Sequence, residues 1–146
     1  MIIRRPEASD RNAWEQLYAG YANFYKVNQT SEMRSRVWGW LNDPNQMSEA
    51  FVAESGGNLV GLAHFRPFAR PLVASVGCYL DDLYVDPASR GSGAVDSLIE
   101  ALVGEALRRE WTVIRWITAE DNFRARSVYE RLSKRTAWVT YDLKPV

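Results

Sequence analysis

The stretch Tyr79-Leu80-Asp81-Asp82-Leu83-Tyr84-Val85-Asp86-Pro87-Ala88-Ser89-Arg90-Gly91-Ser92-Gly93-Ala94 decides how this chain folds. An extended, apolar-rich run stops at Pro87, a short loop carries two glycines, and helical periodicity begins at once, with Leu98, Leu102 and Ala106 on one stripe. The first N–H groups of a helix lack intrahelical acceptors and sit at the positive end of its dipole, so this strand, glycine loop and helix form an anion-binding layout. Gly91 and Gly93 let a ligand approach the backbone, and Arg90 adds a charged donor. The loop is too short for GxxxxGK[ST] and no lysine follows it, which argues against nucleoside triphosphate hydrolysis. Asp96 occupies the third glycine position of GxGxxG, which argues against a dinucleotide-binding fold.

Upstream of this stretch, Ile2 to Arg5 reads as a short strand halted by Pro6. Ser9 or Asp10 caps a helix reaching about Tyr25, with Trp14, Leu17, Tyr18, Tyr21 and Phe24 or Tyr25 at helical spacing. That aromatic stripe is either the core-facing side of an amphipathic helix or a wall of a binding site. A second helix runs from Thr30 or Ser31 to about Asn42 and stops at Asp43-Pro44. Ala50 to Ser55 and Leu59 to Phe68 flank Gly56-Gly57 as a hairpin. Pro67 and Pro71 bracket a loop holding Arg66 and Arg70, and Ser75 to Val85 is the central strand. Downstream, the glycine loop opens a helix from Gly91 to about Arg109. Val113 to Thr118 reads as a buried strand, Asn122 begins the last helix, and Thr136 to Leu143 alternates as a closing strand. The order β-α-α-β-β-β-α-β-α-β predicts a mixed α/β sheet with helices on both faces.

With 146 residues, 47% hydrophobic and 25% charged, the composition is that of one soluble globular domain spanning residues 1–146. Formal net charge is zero, so there is no electrostatic footprint for nucleic acid or an anionic membrane. No run spans a bilayer and the N-terminus lacks a signal-peptide core, which points to the cytoplasm. The single cysteine, Cys78, forms no internal disulfide, and one histidine, His64, leaves no Cys/His zinc cluster, so no metal is expected. His64 lies in the third strand as a hydrogen-bonded structural group or as a catalytic base.

Ser89-Arg90-Gly91-Ser92-Gly93 and the repeat Asn122-x-x-Ala125-x-x-x-Tyr129 together resemble the GNAT superfamily of acyl-CoA-dependent N-acyltransferases. The first carries most of its [R/Q]-x-x-G-x-[G/A] motif; Ala88 replaces the usual first residue and Val95 stands where a small residue is common. The second matches N-x-x-A-x-x-x-Y, with Ser133 and Lys134 in place of the usual Gly-Phe ending. The run Leu80 to Val85 followed by Arg90-Gly91 is similar to the polyamine and diamine acetyltransferases. The resemblance implies a mostly antiparallel sheet with a splayed strand pair, acetyl-CoA as cofactor, and direct attack by a primary amine in a ternary complex. It also implies a homodimer, for which exposed Trp138 or Trp116 would supply an interface.

Acetyl transfer to an amine requires loss of an ammonium proton, polarisation of the acetyl carbonyl and a proton for the departing thiolate. With an ammonium pKa of about 10.4, about one amine in a thousand is nucleophilic near neutrality, a cost of roughly 4 kcal/mol. Asp81 and Asp82 are the candidate bases. As strand neighbours they are expected on opposite faces, so that only one meets the site. By resemblance Asp81 is the base and Asp82 a substrate-binding neighbour. Tyr129, a phenol that stays protonated at neutral pH, suits the proton donor. The family's cofactor contacts fall on Leu83, Tyr84 and Val85 at the strand edge, on the N–H groups of Arg90, Gly91, Ser92, Gly93 and Ala94, and on Asn122 and Ala125. Phe24 and Tyr25 would touch the amine. Acetylation of a protein or peptide amine, and a non-catalytic CoA-binding module, are the competing readings.

Overall fold

The computed structural model describes residues 1–146, which divide into two compact units, Met1–Trp116 and Ile117–Val146. The first unit begins with β1 (Ile2–Arg4), a 3-10 turn over Ala8–Asp10, α1 (Arg11–Phe24) and α2 (Ser31–Leu41). It continues through β2 (Glu49–Ser55), β3 (Asn58–Arg70), β4 (Ser75–Val85), α3 (Ala94–Arg108) and β5 (Ile114–Arg115). The strands form one sheet in the order β1-β2-β3-β4-β5. All pairs are antiparallel except β4 with β5, which is parallel.

Local chemistry sets the boundaries. Asp10 stabilises the entry to α1: its carboxylate accepts from the Glu7 N–H at 2.7 Å and pairs with the Arg4 guanidinium at 2.7 Å. Thr30 caps α2 by accepting from the Met33 N–H at 3.2 Å. Gly56 and Gly57 turn the β2–β3 hairpin with φ of 58° and 81°, the left-handed backbone that a two-residue turn requires. Pro67 lies inside β3, opposite Cys78, rather than starting a loop, and the reversal into β4 comes at a 3-10 turn over Pro71–Val73.

Two apolar clusters cover the two faces of the sheet. On one, Phe51, Ala53, Ala63, Phe65, Cys78 and Leu80 pack against Leu98, Ile99 and Leu102 of α3. On the other, Trp14 and Leu17 of α1 pack on Leu62, joined by Tyr18, Trp38, Leu41 and Tyr84. The helices therefore sit on both faces, as the order of elements predicts. β5 is shorter than expected: only Cys78–Ile114 and Tyr79–Arg115 pair, so the outer edge of β4 from Leu80 to Val85 meets no strand.

The second unit holds α4 (Phe123–Leu132), with Asn122 at its N-terminus and the Ser133 N–H bonded to the Tyr129 carbonyl at 2.8 Å. Thr136 to Leu143 does not form the expected closing strand. Its Trp138, Val139, Tyr141 and Leu143 are exposed. No helix is long and apolar enough to cross a membrane.

Candidate active site

The site grows from an irregularity in β4. His64 pairs with Asp82 and Phe65 with Leu80, so one step along β3 spans two along β4 and Asp81 is the extra residue of a bulge. The bulge cancels strict alternation: Asp81 and Asp82 lie on the same face rather than on opposite ones. Asp81 Oδ2 accepts from Arg66 Nε at 3.0 Å, and both carboxylates act electrostatically on Tyr18 of α1. Burial raises the Asp81 pKa, and the hydrogen bond from Arg66 only partly offsets it.

Asp82 is the better enclosed of the two. Its Oδ2 accepts from Tyr18 Oη at 2.9 Å and lies 2.8 Å from His64 Nδ1. His64 is buried, and its Nε2 lies 2.9 Å from Trp14 Nε1. An indole N–H only donates, so Nε2 is the acceptor, Nδ1 carries the proton, and that proton points at Asp82. Both ring nitrogens are thus occupied, which places His64 as a hydrogen-bonded structural group with no lone pair for proton abstraction. Both of these bonds use Oδ2, and Tyr21 also hydrogen-bonds to this carboxylate.

An aromatic row leads outward from this carboxylate. Tyr18 and Tyr21 stack with centroids 6.1 Å apart, Tyr21 meets Tyr25 at 4.9 Å and Tyr84 at 5.8 Å, and Phe24 meets Tyr25 at 5.0 Å. Burial first, and Asp82 second, raise the pKa values of Tyr18 and Tyr21, so both phenols stay protonated as donors and as neutral ring faces. Phe24 and Tyr25 are the outermost members, 52% and 38% exposed. Of that stripe, Trp14 and Leu17 enter the core, and Tyr18, Tyr21 and Tyr25 form the aromatic row that starts beside Asp82. Gly20 is part of the same fit, since a Cβ there would come within 2.8 Å of Tyr84 Oη.

The glycine loop follows β4 directly. Asp86 accepts from the Ala88 N–H, and a turn over Pro87–Ser89 uses the N–H groups of Arg90 and Ser92 as donors to Pro87 and Ser89 carbonyls. Those two amides are therefore engaged within the loop itself. Gly91 and Gly93 hold φ of 79° and 85°, and a Cβ built on either would meet nothing within 4 Å. The first helical bond runs from the Ser97 N–H to the Gly93 carbonyl, so the amides of α3's first turn have no intrahelical acceptor. Val95 packs against the core rather than crowding the loop. An open loop with unspent N–H groups beside the unpaired edge over Leu83, Tyr84 and Val85 fits the pyrophosphate and amide-bearing arm of a coenzyme A thioester.

Asn122, Ala125 and Tyr129 lie on the second unit. Asn122 Nδ2 donates to Thr118 Oγ1 at 3.4 Å, its carbonyl accepts from the Arg126 N–H at 2.9 Å, and Ala125 and Tyr129 are half-buried on α4. Sequence reasoning did not connect Trp14 and His64 to the carboxylates. That link follows from the pairing of β3 with β4, which no spacing within one strand encodes.

Comparison with known proteins gives a family and a set of relatives. The model of the acetyltransferase (GNAT) family matches residues 14–133. The chain is 26% identical over 144 residues to the D-amino-acid N-acetyltransferase HPA3 of Saccharomyces cerevisiae, covering 97% of this chain and 89% of that one. It is 28% identical over 146 residues to the uncharacterized N-acetyltransferase YhfO of Bacillus subtilis, covering 98% and 97%. Among solved structures, the aminoglycoside N-acetyltransferase AAC(6')-Iy in complex with CoA superposes with a TM-score of 0.84 at 17% identity, covering 99% of this chain and 95% of that one.

Proposed function

The chain belongs to the GNAT family of acetyltransferases and is an acyltransferase that uses acetyl-CoA; from that premise we propose that it acetylates the primary amine of a small molecule by direct attack in a ternary complex. The observation that carries this reading is Asp82, a carboxylate held among His64, Tyr18 and Tyr21 at the inner end of an aromatic row of cation-binding character. The names of relatives support a small acceptor, since HPA3 acts on D-amino acids and AAC(6')-Iy on aminoglycosides. Residues 1–146 act as one catalytic domain in this reading, and the family match runs through both units.

Bound acetyl-CoA supplies an activated acetyl thioester. The amides of Gly91, Gly93 and Ala94, with Arg90, hold its phosphates, the edge of β4 at Leu83 to Val85 receives its pantetheine arm, and Asn122 and Ala125 contribute from α4. Asp82 holds the acceptor ammonium beside the tyrosine rings. Asp81, whose proton affinity burial raises, takes the amine proton directly or through water. Tyr129 Oη returns a proton to the departing sulfur. Cys78 is fully buried and its thiol is pushed up to about 12, so it offers no thiolate for a covalent acetyl-enzyme route.

Thiol release from acetyl-CoA, measured across amino acids, polyamines, aminoglycosides and short peptides, tests this reading. Release with a small amine and not with peptides is expected. Preference for a peptide amine would instead establish the protein-acetylating alternative, and CoA binding without release would establish a non-catalytic module.

A further inference from the structure

We infer that residues 136–143 are a strand that pairs in trans: it adds to the free edge of β5 in a second copy of this chain, which returns the same strand. Alternation puts Val139, Tyr141 and Leu143 on one face of the segment and Thr140 and Asp142 on the other, with Trp138 the one large apolar side chain beside them. That is the pattern of a strand with one face on a core and one in water. The single chain offers it neither a neighbour nor a core. It pairs with no strand, and Trp138, Val139, Tyr141 and Leu143 are between 71% and 94% exposed. Two aromatic and two aliphatic side chains amount to an apolar surface on the order of 600 Å², the size that marks an interaction site.

The exit from α4 suits exchange. Ser133, at its C-cap, is extended, with φ of −150° and ψ of −170°, where a left-handed residue would turn the chain back. Only Lys134 and Arg135 follow before Thr136. A link that short and straight is the hinge from which identical subunits swap elements.

The receiving edge is on the same chain. β5 is the last strand of the sheet, and β4 uses only one of its edges. Beside it, α3 carries an uncovered apolar flank. Glu105 binds Arg5, just past β1, at 2.9 Å, which fixes the flank of α3 that faces β1. Val103, two residues earlier, is about 200° around the helix from Glu105 and so lies on the flank toward β5. It is exposed, as is Leu107 one turn on. A strand added to β5 lays its apolar face there and extends the core in which Ile99 and Ile114 already pack. The opposite edge of the sheet is blunted by charge: Arg4 of β1 pairs with Asp10 and Glu54, and Arg5 with Glu49 and Glu105.

One pairing thus accounts for two departures from the sequence pattern, a β5 of two residues within the apolar run 113–118 and a closing strand without a partner. Donor and receiver on one chain make the exchange reciprocal and closed as a two-fold dimer. Two strands and two receiving edges reach about the 1,200–2,000 Å² of a stable interface. Zero formal net charge sets no repulsion against it.

Light scattering of the full chain at micromolar concentration is expected to give the mass of two chains. Val139→Asp and Tyr141→Asp on the donor, and Val103→Glu on the receiver, all at exposed positions, should each raise the dimer dissociation constant roughly tenfold or more. Ile2→Glu, at the exposed edge of β1, should leave it unchanged. Amide hydrogen exchange of the native protein needs no variant: residues 136–143 and β5 should be protected in the dimer and lose that protection together on dilution to monomer. A native monomer, a dimer unaffected by the donor variants or by Val103→Glu, or dissociation by Ile2→Glu would overturn the inference. So would protection of 136–143 that persists in the monomer, the signature of a strand folded onto its own chain.

Discussion

Trp14 Nε1 can only donate, and that one fact propagates along the chain of hydrogen bonds: it fixes the tautomer of His64, whose Nδ1 proton then points at Asp82 and holds that carboxylate in place. Trp14→Phe removes the donor and leaves a buried imidazole nitrogen unsatisfied. The expected cost is about 2 kcal/mol in denaturant unfolding, together with a several-fold rise in KM for the amine as Asp82 loosens. An unchanged KM would confine His64 to a structural role. At Tyr129, replacement by Phe keeps the ring and removes the proton, so turnover is expected to fall about a hundredfold while CoA affinity, measured by calorimetry, holds. Turnover equal to native would take Tyr129 out of proton transfer. At this scale the sequence carried residue types and left out their faces: both aspartates were legible as candidates, but alternation put them on opposite sides. The bulge that unites them depends on β3's register and has no local signature.

Among the elements, the start of α3 was the most legible because its requirement is local. Two glycines at φ of 79° and 85° are what the turn demands, and they appear as glycines in the sequence. Gly93→Ala forces a left-handed non-glycine residue at the helix cap, which should cost about 1 kcal/mol in stability. Because it also shifts the amides proposed to hold phosphate, CoA affinity should drop several-fold in calorimetry. Loss of stability without loss of affinity would show that those amides do not hold the cofactor. The strands toward the C-terminus were less legible for a physical reason. Alternation at Thr136 to Leu143 reports how side chains would sort if the segment were paired, whereas a strand exists only where an edge accepts it. β5 reduces to Ile114–Arg115 on the same ground, since pairing with β4 ends at Tyr79.

For the molecule as a whole, ionisable groups on both sides of the sheet set the pH range of stability, and their signs differ. The Arg4 hydrogen bond, more than the opposing effect of burial, lowers the pKa of Asp10; burial raises that of Glu105, but Arg108 and Arg109 overcome it and the net direction is down. Arg109 also lies over Trp111 at 4.1 Å and joins Glu49, and Arg5 bridges the two glutamates, so protonating Glu105 disturbs a network. A carboxyl lowered in the folded state gives stability that is complete above its unfolded value of about 4 and is lost as pH falls through the folded one. Tyr18 and Tyr21 act at the other end: their phenols are raised by burial, so the stability they give is complete below about 10 and is lost as pH rises beyond it. Thermal unfolding followed by tryptophan fluorescence should therefore show a plateau between about pH 5 and 9, with a decline on each side. Asp10→Asn should lower the plateau by about 2 kcal/mol and flatten the acid decline, because the group whose protonation drives part of it is gone. Tyr21→Phe should flatten the alkaline one. An acid decline of native steepness in Asp10→Asn would move its origin to Glu105 and the arginines around it, and the same scan in Glu105→Gln decides that, since only there is the network opened without touching the Arg4 pair.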